Sequence, residues 1–243
     1  MMTSDLAGIW VYLSASPLLG LTITLVAYLL AWGLYQRAGA SPLLNPVAVA
    51  VILLIGFLLL ADIPYGSYFE GAQFVHFLLG PATVALAVPL YRQLPKLRTL
   101  WVPVCVALLA GVSTAALSAA VIARLLGATP VTALSLAPKS VTAPVAMGIS
   151  ERVGGLPSLT AVLVVMTGIL GAVVGSRLFD LLRIRDDSVR GIAMGVTSHG
   201  IGTARAFQIS SEMGAFSGLA MALSALLSSL LLPWLLQFVA RFI

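Results

Sequence analysis

A single lysine stands in the middle of a long apolar part of the chain. Lys139 is the only charged residue in 125–150, and proline lies on both sides of it. Placing an ammonium group near the centre of a bilayer costs about 2.5 kcal/mol or more, so the group needs an anionic partner or water. We expect Lys139 to attract or bind a carboxylate solute, or to change protonation during a transport cycle. The alternative is a structural ion pair with a buried acid, for which Glu151 and Asp180 are available.

Three segments are richer in polar residues, proline or glycine than a lipid-exposed helix tolerates: 79–89, 138–144 and 195–203. Proline and paired glycines interrupt the helical hydrogen-bond ladder, which is allowed at membrane depth only where the segment is buried in protein or lines a wet cavity. Freed N–H groups at a half-helix N-terminus attract anions. The alternative is kinked helices whose small residues pack against neighbours. The expected breaks lie at Gly80, Pro81, Pro138, Pro144, Gly200 and Gly202, and the hydroxyls expected to bind a solute belong to Thr83, Ser140, Thr142, Ser198 and Thr203.

Two further candidates lie in or just after the third segment. His199 is flanked by Ser198 and Gly200 within apolar sequence. It would either hydrogen-bond a solute or relay protons, or be an ordinary packed histidine. Arg205 follows Thr203 by two residues. Its charge would either guide an anion into the cavity or extend to the membrane interface.

The composition excludes most other classes of protein. The chain has 243 residues, of which 60% are hydrophobic and 9% are charged, and its mean hydropathy is +1.08. Soluble domains carry roughly 25% charged residues, so a soluble enzyme is excluded. The basic residues behind the net charge of +5 lie at the ends of apolar stretches, which argues against a nucleic-acid partner. The sequence has no nucleophile elbow, phosphate-binding glycine loop, zinc-ligand spacing or CxxC motif, so we predict no enzymatic activity, no metal and no cofactor.

Helices long enough to cross a bilayer must position these residues. About 20 consecutive apolar residues span the hydrocarbon core, and the chain has eight such stretches. The sequence therefore predicts an all-α, polytopic membrane protein with seven to eight transmembrane helices. The stretches cover approximately 18–35, 47–61, 72–90, 100–126, 131–149, 158–182, 191–209 and 215–239.

The basic residues predict the topology. Clusters of Lys and Arg in 92–98 and 183–190 should both face the cytoplasm, but eight full crossings would place them on opposite sides. The conflict disappears if the stretch 131–149 is interrupted and re-entrant, as its central prolines and lysine favour. The flanking stretches then form an inverted repeat, a pattern typical of secondary transporters. We predict one integral membrane domain, 1–243, with repeat halves 45–127 and 157–242 linked by the broken segment 129–150.

Several motifs, in this order, resemble the LrgB/CidB family. They are LGPATVALAVPLY at 79–91, PKSVT at 138–142, GG at 154–155, TGI at 167–169 and SHGIGT at 198–203. The resemblance implies a multi-pass protein of the bacterial inner membrane, often paired with a smaller LrgA/CidA-type membrane protein. Relatives in plastids move glycolate and glycerate. Two positions differ from the expected pattern, because Gly200 stands where alanine is expected and Gln208 stands where an acid is common nearby.

The residues and the resemblance together lead to two hypotheses. The first is a secondary transporter of small monocarboxylates such as glycolate, glycerate or pyruvate, which binds the anion at the midplane through half-helix termini, hydroxyls and Lys139. The alternative is a holin/antiholin-like regulator of murein hydrolases and cell lysis that acts as a homo-oligomer. In that case the small residues Gly168, Gly171 and Gly175 would form helix-packing faces.

Overall fold

The computed structural model describes residues 17–85 and 87–239, and within these ranges every regular element is a helix. The prediction of an all-α fold is therefore confirmed. By its contacts the chain divides into two compact units, Met1–Ala85 and Leu86–Ile243, which are described separately. The single membrane domain 1–243 stays a prediction.

The first unit is built around one long helix, on which the second and third helices pack. Asn45 starts the second helix, because its side-chain oxygen accepts hydrogen bonds from the backbone N–H groups of Val47 and Ala48 at 3.0 and 3.2 Å. The first and third helices touch closely, since a β-carbon on Gly20 would overlap the carbonyl oxygen of Tyr68. The helices are α1 (Pro17–Arg37), α2 (Pro46–Leu60), α3 (Tyr65–Ala72) and α4 (Val75–Ala85), with a 3₁₀ turn at Pro42–Leu44.

The second unit contains the candidate site and has seven helices in its described part. The last helix packs against four others of this unit. The main apolar core of the unit includes the buried side chains of Leu108, Val164, Val196 and Leu232. The helices are α5 (Ala87–Arg92), α6 (Leu94–Leu125), α7 (Pro130–Leu136), α8 (Ala143–Val153), α9 (Pro157–Leu181), α10 (Asp187–Ile209) and α11 (Ser211–Val239).

Four helices in the described part of the chain are long and apolar enough to cross a membrane. They are Leu18–Arg37, Leu94–Leu125, Pro157–Leu181 and Ser211–Phe238. Much of their apolar surface faces outward. Leu125, for example, is 81% exposed and Leu181 is 79% exposed. Apolar faces of this extent are stable only against lipid or other protein. The chain is therefore a multi-pass membrane protein.

Helix α10 folds back on itself at His199, whose backbone angles (φ 41°, ψ −134°) are not helical. A straight helix would separate Asp187 from Ser210 by roughly 35 Å, at 1.5 Å per residue. Instead, the Ser210 hydroxyl donates a hydrogen bond to the Asp187 carboxylate at 2.6 Å. Two half-helices therefore enter and leave at the same end of the unit, with His199 at the tip. We call Asp187–Ile209 the His199 hairpin.

This hairpin corrects one prediction from the sequence. The stretch 191–209 was expected to cross the membrane as a full span, and that expectation is wrong. The stretch is apolar and long enough to cross the membrane. Hydropathy, however, reports only length and composition, and it does not show whether the chain reverses within the stretch. Reversal needs one non-helical residue and close contact between the two half-helices, which Gly202 permits by lying directly against Ser198 and Met194.

The two basic regions of the second unit lie at the same end. The Lys96 ammonium donates to Asp186 at 3.2 Å and to Glu212 at 2.6 Å. Helix α6 begins and helix α9 ends near this contact, and both helices are long enough to cross the membrane. The segment between them therefore begins and ends at the opposite end of the unit. This arrangement supports the re-entrant reading of 131–149. The count of seven to eight spans and the inverted repeat of 45–127 with 157–242 are not confirmed and stay predictions.

Candidate functional site

The chain leaves helical geometry for residues 137–142, between α7 and α8. We call this segment the Lys139 turn. Pro138 lacks the N–H that would continue the hydrogen-bond ladder of α7. Pro144 occupies the first turn of α8, where a missing N–H costs little. The predicted interruption is therefore present, bounded by the two prolines named from the sequence.

Lys139 is half-buried in this turn and donates one hydrogen bond, to the Ser140 hydroxyl at 3.3 Å. No carboxylate oxygen of the described residues lies within 4.0 Å of its ammonium. Of the two acids that the sequence offered, Asp180 pairs with Arg190 at 2.6 Å and Glu151 is exposed. The alternative of a structural ion pair is not found in the described ranges, which leaves the charge available to a ligand.

A small cavity of about 10 Å³ lies beneath the Lys139 turn. Its lining includes Pro138 and Ser140 from the turn, Val196 from the His199 hairpin and Ser228 from α11. The two interruptions predicted from the sequence therefore approach each other, with α11 beside both. The space is the size of a single water molecule, so a carboxylate would bind elsewhere around the turn.

His199 is buried and bonded through both its ring and its backbone. Its Nε2 lies 2.9 Å from the carbonyl oxygen of Val164 on α9. Because a carbonyl only accepts, Nε2 carries the hydrogen. The His199 carbonyl oxygen accepts from the Thr203 hydroxyl at 2.8 Å, and Thr203 accepts in turn from Ser217 at 2.9 Å. These contacts favour the packed-histidine alternative over a solute-binding role.

Glycines on α9 let the His199 hairpin approach. A β-carbon on Gly168 would lie 2.7 Å from the His199 ring, and one on Gly171 would overlap the Ser198 hydroxyl. A β-carbon on Gly175 would likewise clash with a methionine side chain of the hairpin. The three small residues expected to mediate oligomerisation are therefore covered by α10 of the same chain.

The remaining predicted residues of α10 divide by burial. Ser198 is buried and donates to the Thr197 hydroxyl at 3.1 Å, because Thr197 itself donates to a backbone carbonyl. Gly200 is exposed and has room for a β-carbon. Arg205, on the returning half-helix, donates to Gln208 at 3.0 Å.

The other predicted residues have different outcomes. Thr142 ends the Lys139 turn, and its carbonyl oxygen rather than its hydroxyl accepts the first bond of α8. Helix α4 continues through Gly80 and Pro81, so the break expected there is wrong. Membrane helices accommodate proline because neighbouring groups satisfy the freed carbonyl. The side chain of Thr83 lies outside the described part of the structure.

Sequence reasoning missed three buried serines on α11. Ser217, Ser224 and Ser228 are each at most 1% exposed. Their spacing of seven and four residues places them on one face of a helix, within an arc of about 40° at 100° per residue. That spacing is readable from the sequence, but only the folded neighbours reveal which face is buried.

A charged cluster holds the base of the His199 hairpin. Asp186 caps α10 by accepting from the N–H groups of Ser188 and Val189 at 2.9 and 3.1 Å. The Ser188 hydroxyl bonds the same carboxylate, and Lys96 lies beside it. The Ser188 hydrogen bond, followed by the capping bond and Lys96, lowers the pKa of Asp186 from 3.8 to about 2. The described residues contain no cluster of three potential metal ligands.

The fold and this site define a polytopic α-helical membrane protein with two interrupted segments in its interior. The chain belongs to the LrgB-like family, whose model matches residues 24–238. It is 38% identical to the uncharacterised protein YwbG of Bacillus subtilis, over 91% of this chain and 98% of YwbG.

Other relatives carry a descriptive name. The chain is 32% identical to the holin-like protein CidB of Staphylococcus aureus, over 90% of this chain and 95% of that protein. It is equally similar to the holin-like protein CidB of Staphylococcus epidermidis, over 93% and 97% of the two chains. No solved structure matches the chain. The family assigned from the sequence motifs is therefore confirmed.

Proposed function

We propose that this chain is a holin/antiholin-like membrane protein that regulates murein hydrolase activity and cell lysis. One observation carries the proposal: relatives named holin-like CidB align with 90% or more of the chain, including both interrupted segments. The protein has no role as an enzyme in this proposal and uses no cofactor. It acts by forming, with further copies or a small LrgA/CidA-type partner, an assembly that controls leakage across the membrane.

The test is autolysis of cells that lack the gene. Deletion should change the rate of detergent-induced lysis, upward for an antiholin-like role and downward for a holin-like one. Expression of the wild-type chain from a plasmid should restore the original rate. An unchanged lysis rate in the deletion strain, with murein hydrolases present, contradicts the proposal.

A second candidate, transport of small monocarboxylates such as glycolate, glycerate or pyruvate, is favoured by a specific observation. Lys139 lies half-buried at an interrupted segment and has only the Ser140 hydroxyl as a described hydrogen-bond partner. An ammonium in that setting would be stabilised by an anionic solute. Import of one negative charge against 100 mV costs about 2.3 kcal/mol, so the carrier would be coupled to a cation or would export.

Uptake by proteoliposomes separates the two candidates. Vesicles containing the purified chain should take up labelled glycolate or pyruvate with saturable kinetics. Lys139→Met should abolish this uptake, while Cys105→Ser, an exposed change on α6, should preserve it. Unselective leakage that Lys139→Met does not alter would favour the holin-like assembly over the carrier.

We place the protein in the bacterial inner membrane, with the end of the second unit that carries Lys96 facing the cytoplasm. The support is the concentration of basic residues at that end, in 92–98 and 183–190. A cysteine introduced at Arg185, in a Cys105→Ser background, should react only with thiol reagents admitted to the cytoplasm. Labelling from outside intact cells would contradict this orientation.

A further inference from the structure

The second unit contains the same pattern of elements twice, at an interval of 60 residues. A long apolar helix is followed by two shorter helical segments between which the chain turns back: α6 by α7 and α8, and α9 by the two halves of α10. In the first case the return is shown by the N–H of Leu156, which donates to the Ser135 hydroxyl at 2.7 Å. Lys139 and His199, which lie at the two turns, are 60 positions apart. We call 94–153 repeat A and 154–213 repeat B.

The same interval relates individual residues of the two repeats. Val104 and Val164 are both buried on the long helices, and Ala146 and Ala206 are both 0% exposed on the returning segments. These boundaries differ from the halves 45–127 and 157–242 predicted from the sequence, because here a hairpin is matched with a hairpin. Six residues of repeat A recur as the same type at 164, 171, 193, 206, 209 and 210, namely Val104, Gly111, Ala133, Ala146, Ile149 and Ser150.

The two repeats run in opposite directions. Helix α6 begins at the end of the unit that carries Lys96, whereas α9 finishes at that end, where Asp180 pairs with Arg190. Repeat B is therefore inverted relative to repeat A. Inverted repeats with interrupted helices at corresponding places are typical of secondary transporters, in which one repeat moves against the other.

The contact between the repeats is closed at one end of the unit and open at the other. Thr160 of repeat B is 0% exposed, and its hydroxyl lies 2.9 Å from the Ser135 carbonyl oxygen and 2.7 Å from the Ser150 hydroxyl of repeat A. The residue equivalent to Thr160 is Leu100 on α6, near the opposite end. Leu100 lines a gap of about 360 Å³ between α6 and the first half of α10. Two equivalent interfaces are therefore in different states.

We propose that these two interfaces open and close in turn, so that repeat A and repeat B exchange the states that they have in this structure. In the exchanged state the gap at Leu100 is closed, and the interface at Thr160 is open. The exchange rests on the second candidate function, carboxylate transport, because it exposes the space between the repeats first to one side of the membrane and then to the other. A carboxylate held at the Lys139 turn is then released to either side.

Two equivalent positions report on the exchange. Ala137 of repeat A is 2% exposed, whereas its equivalent in repeat B, Thr197, is exposed and lines the gap. A cysteine is placed at each in separate Cys105→Ser chains in proteoliposomes and reacted with N-ethylmaleimide. Thr160→Val removes the hydroxyl that closes one interface, so it should speed the reaction at Ala137→Cys several-fold and slow that at Thr197→Cys. Thr167→Val is the matched control, because the Thr167 hydroxyl donates to the backbone of α9 itself at 2.7 Å.

The opposite signs distinguish an exchange from simple loosening. A variant that only destabilises the fold would speed both reactions. That outcome, or rates that match those of Thr167→Val, would overturn the proposal.

A disulfide provides the reverse test. The side-chain oxygens of Ser150 and Thr160 lie 2.7 Å apart, so Ser150→Cys/Thr160→Cys should oxidise readily and hold this interface closed. Oxidation should then abolish the reaction at Ala137→Cys and preserve that at Thr197→Cys, and reduction should restore both to their initial rates. A persistent reaction at Ala137→Cys in the oxidised protein would overturn the exchange even if Thr160→Val failed to insert.

Uptake of labelled glycolate or pyruvate by the same vesicles separates this proposal from the carrier function. Uptake that stops on oxidation and returns on reduction supports both. Uptake that the disulfide leaves unchanged would overturn the exchange and keep the carrier. Opposite changes at the two cysteines, without uptake of either solute, would contradict the carrier of these solutes and keep the exchange.

Discussion

The Lys139 turn and the His199 hairpin are both interruptions of helical structure, but they differ in how their polar groups are satisfied. His199 is 5% exposed and bonded to α9 through its ring at 2.9 Å. Lys139 is half-buried and has one longer contact, at 3.3 Å. The first interruption is closed by the protein, whereas the second keeps a charged group open. An interruption alone therefore does not mark a binding site, and of the two interruptions only the Lys139 turn stays a candidate for one.

The largest expected effect tests how tightly the hairpin is closed. Gly171→Ala places a β-carbon on the Ser198 hydroxyl, and we expect a loss of about 3 kcal/mol in stability, at the upper end of overpacking costs. Gly148→Ala on α8, which follows the Lys139 turn, meets nothing within 4 Å and should gain up to about 1 kcal/mol. Thermal unfolding in detergent measures both. Equal melting temperatures for the two variants would show that the His199 hairpin is not more tightly packed than the region of the Lys139 turn.

Replacing the central residue of each region should change stability in opposite directions. His199→Ala removes the bond to Val164 and leaves a cavity, which should cost about 2 kcal/mol. Lys139→Met removes a half-buried charge without an ionic partner in the described ranges, so stability should be unchanged or higher. Chemical or thermal unfolding of the purified variants provides the comparison. A Lys139→Met protein as unstable as His199→Ala would mean that the lysine is structural.

The base of the hairpin should contribute less than its tip. Ser210 donates to Asp187 and also accepts from the N–H of Met213 at 3.0 Å, so it closes the hairpin and caps α11. Ser210→Ala should cost about 1 kcal/mol, a usual value for a lost cap. Thr99→Ala is a matched control, because Thr99 is exposed and bonds only its own helix. The same melting experiment applies, and a Ser210 effect no larger than that of Thr99 would contradict the closing role.

The smallest expected effect is a pH dependence at the same base. The pKa of Asp186 is about 2 in the folded protein and near 3.8 when unperturbed. Its ionised form therefore stabilises the fold above about pH 4, and this contribution is lost as the pH falls towards 2. Because the side chain is 52% exposed, we expect less than about 1 kcal/mol. Melting between pH 5 and 2.5 should fall less steeply for Asp186→Asn, and parallel curves would exclude Asp186 as a source.

The sequence predicted the Lys139 turn well because the responsible residues are local. Pro138 cannot continue a helix, and Pro144 fits only the first turn of the next one. The same reasoning failed at Pro81, where α4 continues through the proline. Proline removes one hydrogen bond in both places. Whether the helix then breaks depends on the neighbours that satisfy the freed group, and those neighbours are not part of the local sequence.

His199 was found as a candidate for a reason that the contacts do not support. A polar residue in an apolar stretch indicates a special environment, but it does not distinguish a ligand from a hydrogen bond to the protein. Val164 lies 35 residues away in the chain, and no motif connects it to His199. Ser228 was missed for the converse reason, since a serine in an apolar helix is ordinary until its backbone acceptor is found to be unused.

Residence in the membrane, the helical class and the position of the Lys139 interruption were determined by the sequence alone, because each follows from hydropathy or covalent geometry over a few residues. The direction of the chain after each interruption was decided by the tertiary structure. Hydropathy gives the length of a stretch, whereas reversal at His199 depends on one pair of backbone angles and on bonds between residues that are distant in sequence. The same holds for Lys139: its charge is encoded locally, but its lack of an ionic partner among the described residues is a result of the fold.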